Sequence, residues 1–547
     1  IQTNRAFGKW RLSGRELSCY FWFYMQLFFM LMSSGDLFKF LINILPSYMD
    51  CNLDGYFLLL SMFSSSSLLL LSDLSDPQWR NFRGNMPILA IFFGFAFVST
   101  HFIKVFASLR AMSIVWLLIS LGYVYNLHGV CILFVLLIAS LNFIIVKTTA
   151  TTKYFSFSIW LFNLSFLICN RVFEGYPFSL FGQRWAYLDS FRGSFRWHIC
   201  FNFVVLRMIS FGYDYHWASQ NLHHDHEKHS QHCALCKSGA LCYKFLQRTS
   251  LPRHRYCLTM YISYLLYAPL YIAGPTITFN SFAAQLDSIP SVRGGQKAFL
   301  YGVRWIFSFC VIELITHLFH YNAFVISGFW KTLSPFDIFI LGYGVLNFMW
   351  LKFLLIWRYF RFWSLLCGVE APENMPRCIN SCYNLESFWK NWHASFNIWL
   401  VRYIYIPLGG SKRKLLNVWV IFTFVALWHD LEWKLVSWAL LTCLFFVPEM
   451  VVKSAANAYK LEHACGRFLF RELRACASSI TITCLMVGNL VGYVIGPSGL
   501  NWLVNRFMAR DGMVALAAML VTFYVGAKLM FHVEDSRRGL PESRAGE

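Results

Sequence analysis

"SFWKNWHASFNIWLVRYIYIPLGGSKRKLLNVWVIFTFVALWHD" occupies residues 387–430 and contains two histidines, His393 and His429, each directly after a tryptophan. From Leu415 to Trp428 the segment stays apolar apart from Asn417 and Thr423, and Asp430, Glu432 and Lys434 then bring back charge. That pattern predicts a membrane helix ending at His429. Ionisable side chains at such depth are costly, and those found there line a cavity or a functional path. Upstream, Trp389, Trp392, His393, Phe396, Trp399 and Leu400 recur at three- and four-residue spacing, which predicts one helix over 388–401 with His393 inside its apolar face. Pro407, Gly409 and Gly410 force a turn after it, and "SKRK" at 411–414 marks an aqueous boundary. Two helical segments joined by a turn let both imidazoles face one cavity. A lone buried histidine is more often a satisfied hydrogen-bonder than a catalyst; a pair on consecutive segments raises the catalytic reading. A neutral imidazole in such a cavity can take a proton from a hydroxyl.

The rest of the chain repeats this apolar pattern. Its 547 residues are 57% hydrophobic and 14% charged, against about 25% charged in soluble proteins, so several soluble domains are excluded. Apolar runs long enough for about 30 Å of hydrocarbon are expected at 86–106, 112–125, 130–146, 154–169, 197–211, 256–273, 302–319, 336–359, 415–429, 433–447, 475–495 and 513–531. Further runs lie at 56–71 and, short and interfacial, at 19–32. The serines within "FSSSSLLLL" at 63–71 suit helix packing. Lipid cannot satisfy an open backbone, so these runs must be helices. The expected fold is all-α, polytopic, with eleven to thirteen transmembrane helices around an internal catalytic cavity. The expected organisation is N-terminal helices over 1–196, a catalytic core over 197–450, C-terminal helices over 451–535 and a polar tail over 536–547. Aromatics make up 19% of the chain and flank many spans as an interfacial belt. The chain opens on Ile1 without a cleavable signal pattern, and its natural N-terminus is expected to lie further upstream.

A net charge of +20 invites a nucleic-acid partner, which we exclude. The Lys and Arg sit in short segments between apolar runs, where cytoplasmic loops and anionic headgroups explain them. The 17 cysteines are scattered and form no spaced disulfide framework. Segment 212–252 is the longest polar stretch expected. Within it "HHDHEKHSQHCALC" at 223–236 carries five His and two Cys, and His232, Cys233 and Cys236 have spacings that zinc accepts. It lacks two separated ligand pairs, so it reads as a polar insertion and no metal is assigned. Pro372, Asn374 and Pro376 predict an ordered turn in 367–387. Glu313 and His317, four residues apart in one span, are expected to form an internal pair.

"FWKNWHASFNIWLVRYIYIPLGG" followed by "ALWHD" resembles the membrane-bound O-acyltransferase superfamily, whose members carry a buried His after Trp in the second motif and His, Asn or Asp in the first. "LRMISFGYDYHW" (206–217), "YLLYAPLYIAGPTITFNSF" (264–282) and "WLKFLLIWRYFRFWSLLCGVEAPENMPRC" (350–378) extend the likeness to the branch of the glycerol uptake proteins and Hedgehog acyltransferase, with "WRYFRFW" and "ENMPRC" most like the former. The blocks cover roughly 206–450. The resemblance implies a multi-pass enzyme of the endoplasmic reticulum that moves acyl groups from acyl-CoA to a lysolipid hydroxyl during remodelling of glycosylphosphatidylinositol anchors. Its partners would be membrane lipids, acyl-CoA as co-substrate and the lysolipid. On this reading His429 is the general base, and His393 orients the acceptor or steadies the oxyanion. Trp389, Trp392 and Trp428 shape a tunnel, and Arg402, Lys412, Arg413 and Lys414 hold the coenzyme phosphates. Hedgehog acyltransferase ligates haem through a Cys matching Cys378, so haem there stands open beside an ordinary loop thiol. A protein acyltransferase, a glycerol transporter and a non-catalytic scaffold remain as alternatives. No internal repeat of the transporter kind is evident.

Overall fold

A computed structural model describes residues 72–106, 111–220, 242–286, 292–430, 432–458 and 464–538, together with His229, Gln231, Cys233 and Cys236. The helices run in the order α1 (Pro77–Phe106), α2 (Ala111–His128), α3 (Ile132–Thr149), α4 (Phe155–Val172), α5 (Trp197–Ser219), α6 (Tyr243–Arg248), α7 (Leu258–Leu266), α8 (Phe279–Leu286), α9 (Val292–Leu318) and α10 (Tyr321–Ile326). They continue as α11 (Pro335–Leu366), α12 (Leu385–Asn391), α13 (Ala394–Leu400), α14 (Lys414–His429), α15 (Trp433–Ala458), α16 (Ala464–Leu490), α17 (Gly496–Met508) and α18 (Arg510–Arg538). No strand occurs among the described residues.

Eight helical segments among the described residues are long and apolar enough to cross a membrane, fewer than the eleven to thirteen expected. The runs expected at 19–32 and 56–71 lie outside the described residues. The outer helices leave large apolar side chains exposed, including Ile91 and Phe95 on α1 and Phe307 on α9, as a lipid-facing surface requires.

Helix α5 behaves differently. It buries residues on every side, from Trp197 to Asp214, and is surrounded by α3, α4, α7 and α8. At Gly212 the Ile159 side chain of α4 fills the space a Cβ would occupy, its Cδ1 only 2.0 Å from that position. Its length to Ser219 also shortens the polar stretch expected from 212.

The span expected at 256–273 does not form. Helix α7 has nine residues, about 14 Å of helix, and gives way to a 3₁₀ turn at Ala268–Leu270 containing Pro269. A broken helix end leaves carbonyls that lipid cannot satisfy. Arg207 of α5 supplies the donors, reaching the carbonyls of Tyr264 at 3.2 Å, Leu265 at 2.7 Å and Leu270 at 2.5 Å. Pro269 is the local signal for this break, since a proline disfavours helix in the residues before it, and Arg207 is the remote group that makes the break tolerable inside the membrane.

Glu313 and His317 do form the expected pair, though not through the carboxylate. Glu313 makes a two-pronged bond to Arg83 of α1 at 2.8 and 2.9 Å. His317 uses Nδ1 on the Glu313 carbonyl instead of its carboxylate. Helix α18 runs to Arg538, past the expected start of the tail at 536; residues 539–547 lie outside the described residues.

Candidate active site

The expected single helix over 388–401 is two helices. Asn384 caps α12 by accepting from the Ser387 N–H, and the helix stops at Asn391. Trp392 is extended, and His393 takes the left-handed conformation at φ 48°, ψ 47°. A β-carbon disfavours that region by about 1–2 kcal/mol. Among the described residues only Glu174 and His393 show it without being glycine. Backbone of this kind persists where the surroundings over-determine it. Here Asn374, inside the ordered turn predicted from Pro372 and Pro376, holds the start of α13. Its carbonyl accepts the Ala394 N–H at 2.9 Å, and its Oδ1 accepts the Ser395 N–H at 3.1 Å and the Ser395 hydroxyl. Ser395 Oγ in turn accepts the Thr276 N–H at 2.8 Å. These contacts break the helix and turn His393 inward.

The His393 ring lies edge-on to Trp357 of α11 at 4.4 Å and to Phe396 at 5.2 Å, and 6.2 Å from Trp428. The residue is 9% exposed, and its Nδ1 is buried with no hydrogen-bond partner. His429 meets the same Trp428 ring at 4.8 Å and faces Trp438 and Tyr493 at 6.3 and 6.1 Å. Trp428 thus contacts both imidazoles, and the two predicted histidines come together around it.

His429 is set by the end of α14. Arg171 donates to its carbonyl at 2.7 Å and pairs with Asp430 at 3.5 Å. Asn202 donates to the Trp428 carbonyl at 2.6 Å and accepts the Trp428 indole N–H at 2.9 Å. Both supply donors to carbonyls that a helix C-terminus leaves unpaired, and the guanidinium suits the negative end of the dipole.

The expected tryptophans divide. Trp392 stacks on Phe388 and meets Phe353 and Trp357 edge-on. Trp389 turns to Phe422 and Trp438. Trp392 also lines an apolar cavity of about 130 Å³ between α11, α16 and α18, together with Tyr343, Phe388, Met486, Tyr493 and Phe523. Neither histidine lines it; Trp392 and Tyr493 separate it from them.

The four expected cations do not act as one group. Arg402 turns inward, donating to Asp214 at 2.9 Å and to the Tyr403 hydroxyl at 3.2 Å, with its guanidinium over Trp217. Asp214 has a 0% exposed side chain and also accepts the Asn280 N–H at 3.0 Å. A guanidinium committed to a buried carboxylate is not free for a phosphate. Lys412, Arg413 and Lys414 are exposed at the start of α14, about 22 Å from its histidine end along the axis. Lys414 lies 3.8 Å from Glu386.

Cys378 begins a 3₁₀ turn whose residues Ile379 and Asn380 reach the cavity wall. Burial pushes its thiol up, and the Asn380 amide only partly offsets this. A thiolate at Cys378 has to form against that burial. His229, Cys233, Cys236 and Cys242 converge in the segment before α6; His223, His224, His226 and His232 lie outside the described residues.

The structure adds Asn374, Asp214, Arg171 and Asn202 to the residues that position the site. Asp214 had a signal, being the lone acid of an apolar run in the block 206–217. Asn374 carries only a turn signal in the sequence. Arg171 and Asn202 act across more than 220 residues, and no local pattern marks them.

Residues 185–489 match the family model described as MBOAT, membrane-bound O-acyltransferase family. The chain is 33% identical over 472 residues to a Schizosaccharomyces pombe protein named membrane-bound O-acyltransferase gup1, covering 84% of this chain and 80% of that one. It is also 33% identical to the Saccharomyces cerevisiae protein named membrane-bound O-acyltransferase GUP1, covering 86% of this chain and 84% of the relative. Similarity to the Mus musculus protein-cysteine N-palmitoyltransferase HHAT is 25% over 243 residues, 42% of this chain and 48% of that one. The yeast proteins therefore align along most of both chains, and the mouse protein along less than half.

Proposed function

The chain belongs to the membrane-bound O-acyltransferase family, and we propose that it moves a long fatty acyl chain from acyl-CoA to a lysolipid hydroxyl in the endoplasmic reticulum membrane, in remodelling of glycosylphosphatidylinositol anchors. The observation that carries the chemistry is the pair of imidazoles, from separate chain segments, around Trp428. His429 takes the acceptor proton. The oxygen attacks the thioester carbonyl, and His393, with its proton on the unpaired Nδ1, steadies the oxyanion. Collapse breaks the C–S bond, and the departing thiolate recovers the proton from the His429 imidazolium. Trp389, Trp392 and Trp428 shape the path of the acyl chain, and Lys412, Arg413 and Lys414 meet the coenzyme phosphates.

In favour of a lipid acceptor, the relative named for a protein acceptor aligns along less than half of the chain, and a bilayer lipid can enter a largely intramembrane body sideways. A peptide α-amine titrates near about 7.7–8.0 and must lose a proton before attack, whereas a hydroxyl needs only the imidazole. The test is a competition with limiting labelled acyl-CoA: lysophosphatidylinositol, an N-terminal cysteine peptide and glycerol in one vessel with the purified protein. Label on the lysolipid is expected. Label on the peptide overturns the acceptor, and glycerol crossing liposomes with no label transferred overturns the enzyme. Haem on Cys378 is a separate proposal: a Soret band in protein made with haem available, reduced by Cys378→Ala. No band in that preparation ends it.

A further inference from the structure

We propose that His229, Cys233, Cys236 and Cys242 form a structural zinc site that clamps the segment between α5 and α6, independently of the acyl-transfer reading. The four ligand atoms all lie within 4.8 Å of one another. Zinc bonds of about 2.3 Å to sulfur and 2.0–2.1 Å to nitrogen put the edges of the ligand tetrahedron at roughly 3.5–3.8 Å. Side-chain adjustments of about 1 Å therefore close the site around an ion.

The backbone already has the form such a site needs. The Cys233 N–H donates to the His229 carbonyl at 3.0 Å, so these two ligands share one helical turn, and Cys236 follows three residues on. Cys242 caps α6, its sulfur accepting the Phe245 N–H at 3.3 Å. His229 Nε2 sits 3.1 Å from that sulfur. An amide aimed at sulfur suits a thiolate, the form a metal binds. None of the three cysteines is in a disulfide.

The chemistry of the set selects the metal. Three thiolates and one imidazole in a tetrahedron favour zinc over magnesium or calcium, which take oxygen ligands. Four protein ligands leave no position for a reactive water, so the site is structural. Its position gives it a purpose. The hydroxyl of Tyr243, directly after Cys242, accepts the Thr278 N–H at 3.3 Å. Two residues further on, the Asn280 N–H binds Asp214, the buried partner of Arg402. Metal at the head of α6 thus anchors the strand of contacts that reaches the Asp214–Arg402 pair.

The test uses the full chain, purified in detergent under reducing conditions without chelator. Elemental analysis should find about one zinc per chain, and differential alkylation should find these three thiols protected until a chelator is added. Cobalt exchange should give the visible bands of a tetrahedral thiolate complex. His229→Ala and Cys236→Ser should each weaken zinc binding by at least the roughly 10–100-fold that loss of an outer-shell partner costs, while Cys257→Ser, outside the cluster, retains the metal. Wild-type protein prepared with added zinc that holds none overturns the proposal. So does a disulfide among the three cysteines in that preparation, or full zinc content in both variants. Where a variant does not fold, metal content and thiol protection in the wild type still decide.

Discussion

His429 and His393 contact the same tryptophan but are held by different physics. His429 ends a regular helix, and ordinary helix geometry aims it once Arg171 and Asn202 have satisfied the carbonyls there. His393 sits on a break, in backbone that a β-carbon disfavours, and depends on a loop some twenty residues upstream. The first position is cheap to build and tolerant of its surroundings. The second is kept in place by Asn374, Ser395 and the Thr276 backbone acting together. A base needs only reach; an oxyanion partner needs a fixed direction, and the strained backbone supplies it.

The largest expected effect belongs to the helix-end histidine. His429→Ala should lower acyl transfer by roughly 100–10,000-fold, the range for losing a general base, in protein that elutes and melts like the wild type. Full turnover by such protein would break the assignment. The partner histidine should matter less: His393→Asn keeps a hydrogen-bond donor and a residue that tolerates left-handed backbone, so its loss should be smaller than the roughly 100–1,000-fold of a deleted oxyanion donor. Equal inactivity in the two variants removes the division of roles.

Asn374→Ala tests whether the loop, and not the helix, places His393. It leaves the Ser395 hydroxyl and N–H without their shared acceptor, a cost of about 1–3 kcal/mol. The melting temperature should fall and turnover with it, while adding acyl-CoA restores neither. A variant as stable and active as the wild type shows that His393 is held otherwise. The smallest effect isolates the backbone itself. His393→Gly and His393→Ala both lack the ring, so the difference between them reports the cost of a β-carbon in left-handed backbone, set against glycine's larger unfolded-state entropy. Glycine should be the more stable by about 1 kcal/mol, seen as a higher melting temperature; an alanine variant of equal stability says the left-handed turn is not retained.

What the sequence by itself determined was whatever depends on local pattern. Apolar length marked the long helices α1, α11 and α18, the aromatic spacing marked the stretch around His393, and Trp–His at the end of an apolar run marked His429. These signals are local because helix formation and membrane burial are set by neighbouring residues. The tertiary structure alone decided the break at His393 and the pairings. An apolar run continues through 256–273 and an aromatic spacing through 388–401; Pro269 marks the first break locally and Arg207 serves its loose carbonyls, whereas the second comes where Asn374 takes two N–H groups, with no local signal. Arg402 looked like a cation at a water boundary until Asp214, 188 residues away, neutralised it. A hydrogen bond is directional and a buried charge needs its partner within a few ångströms, and neither requirement leaves a trace in the spacing of residues that meet only after the chain has folded.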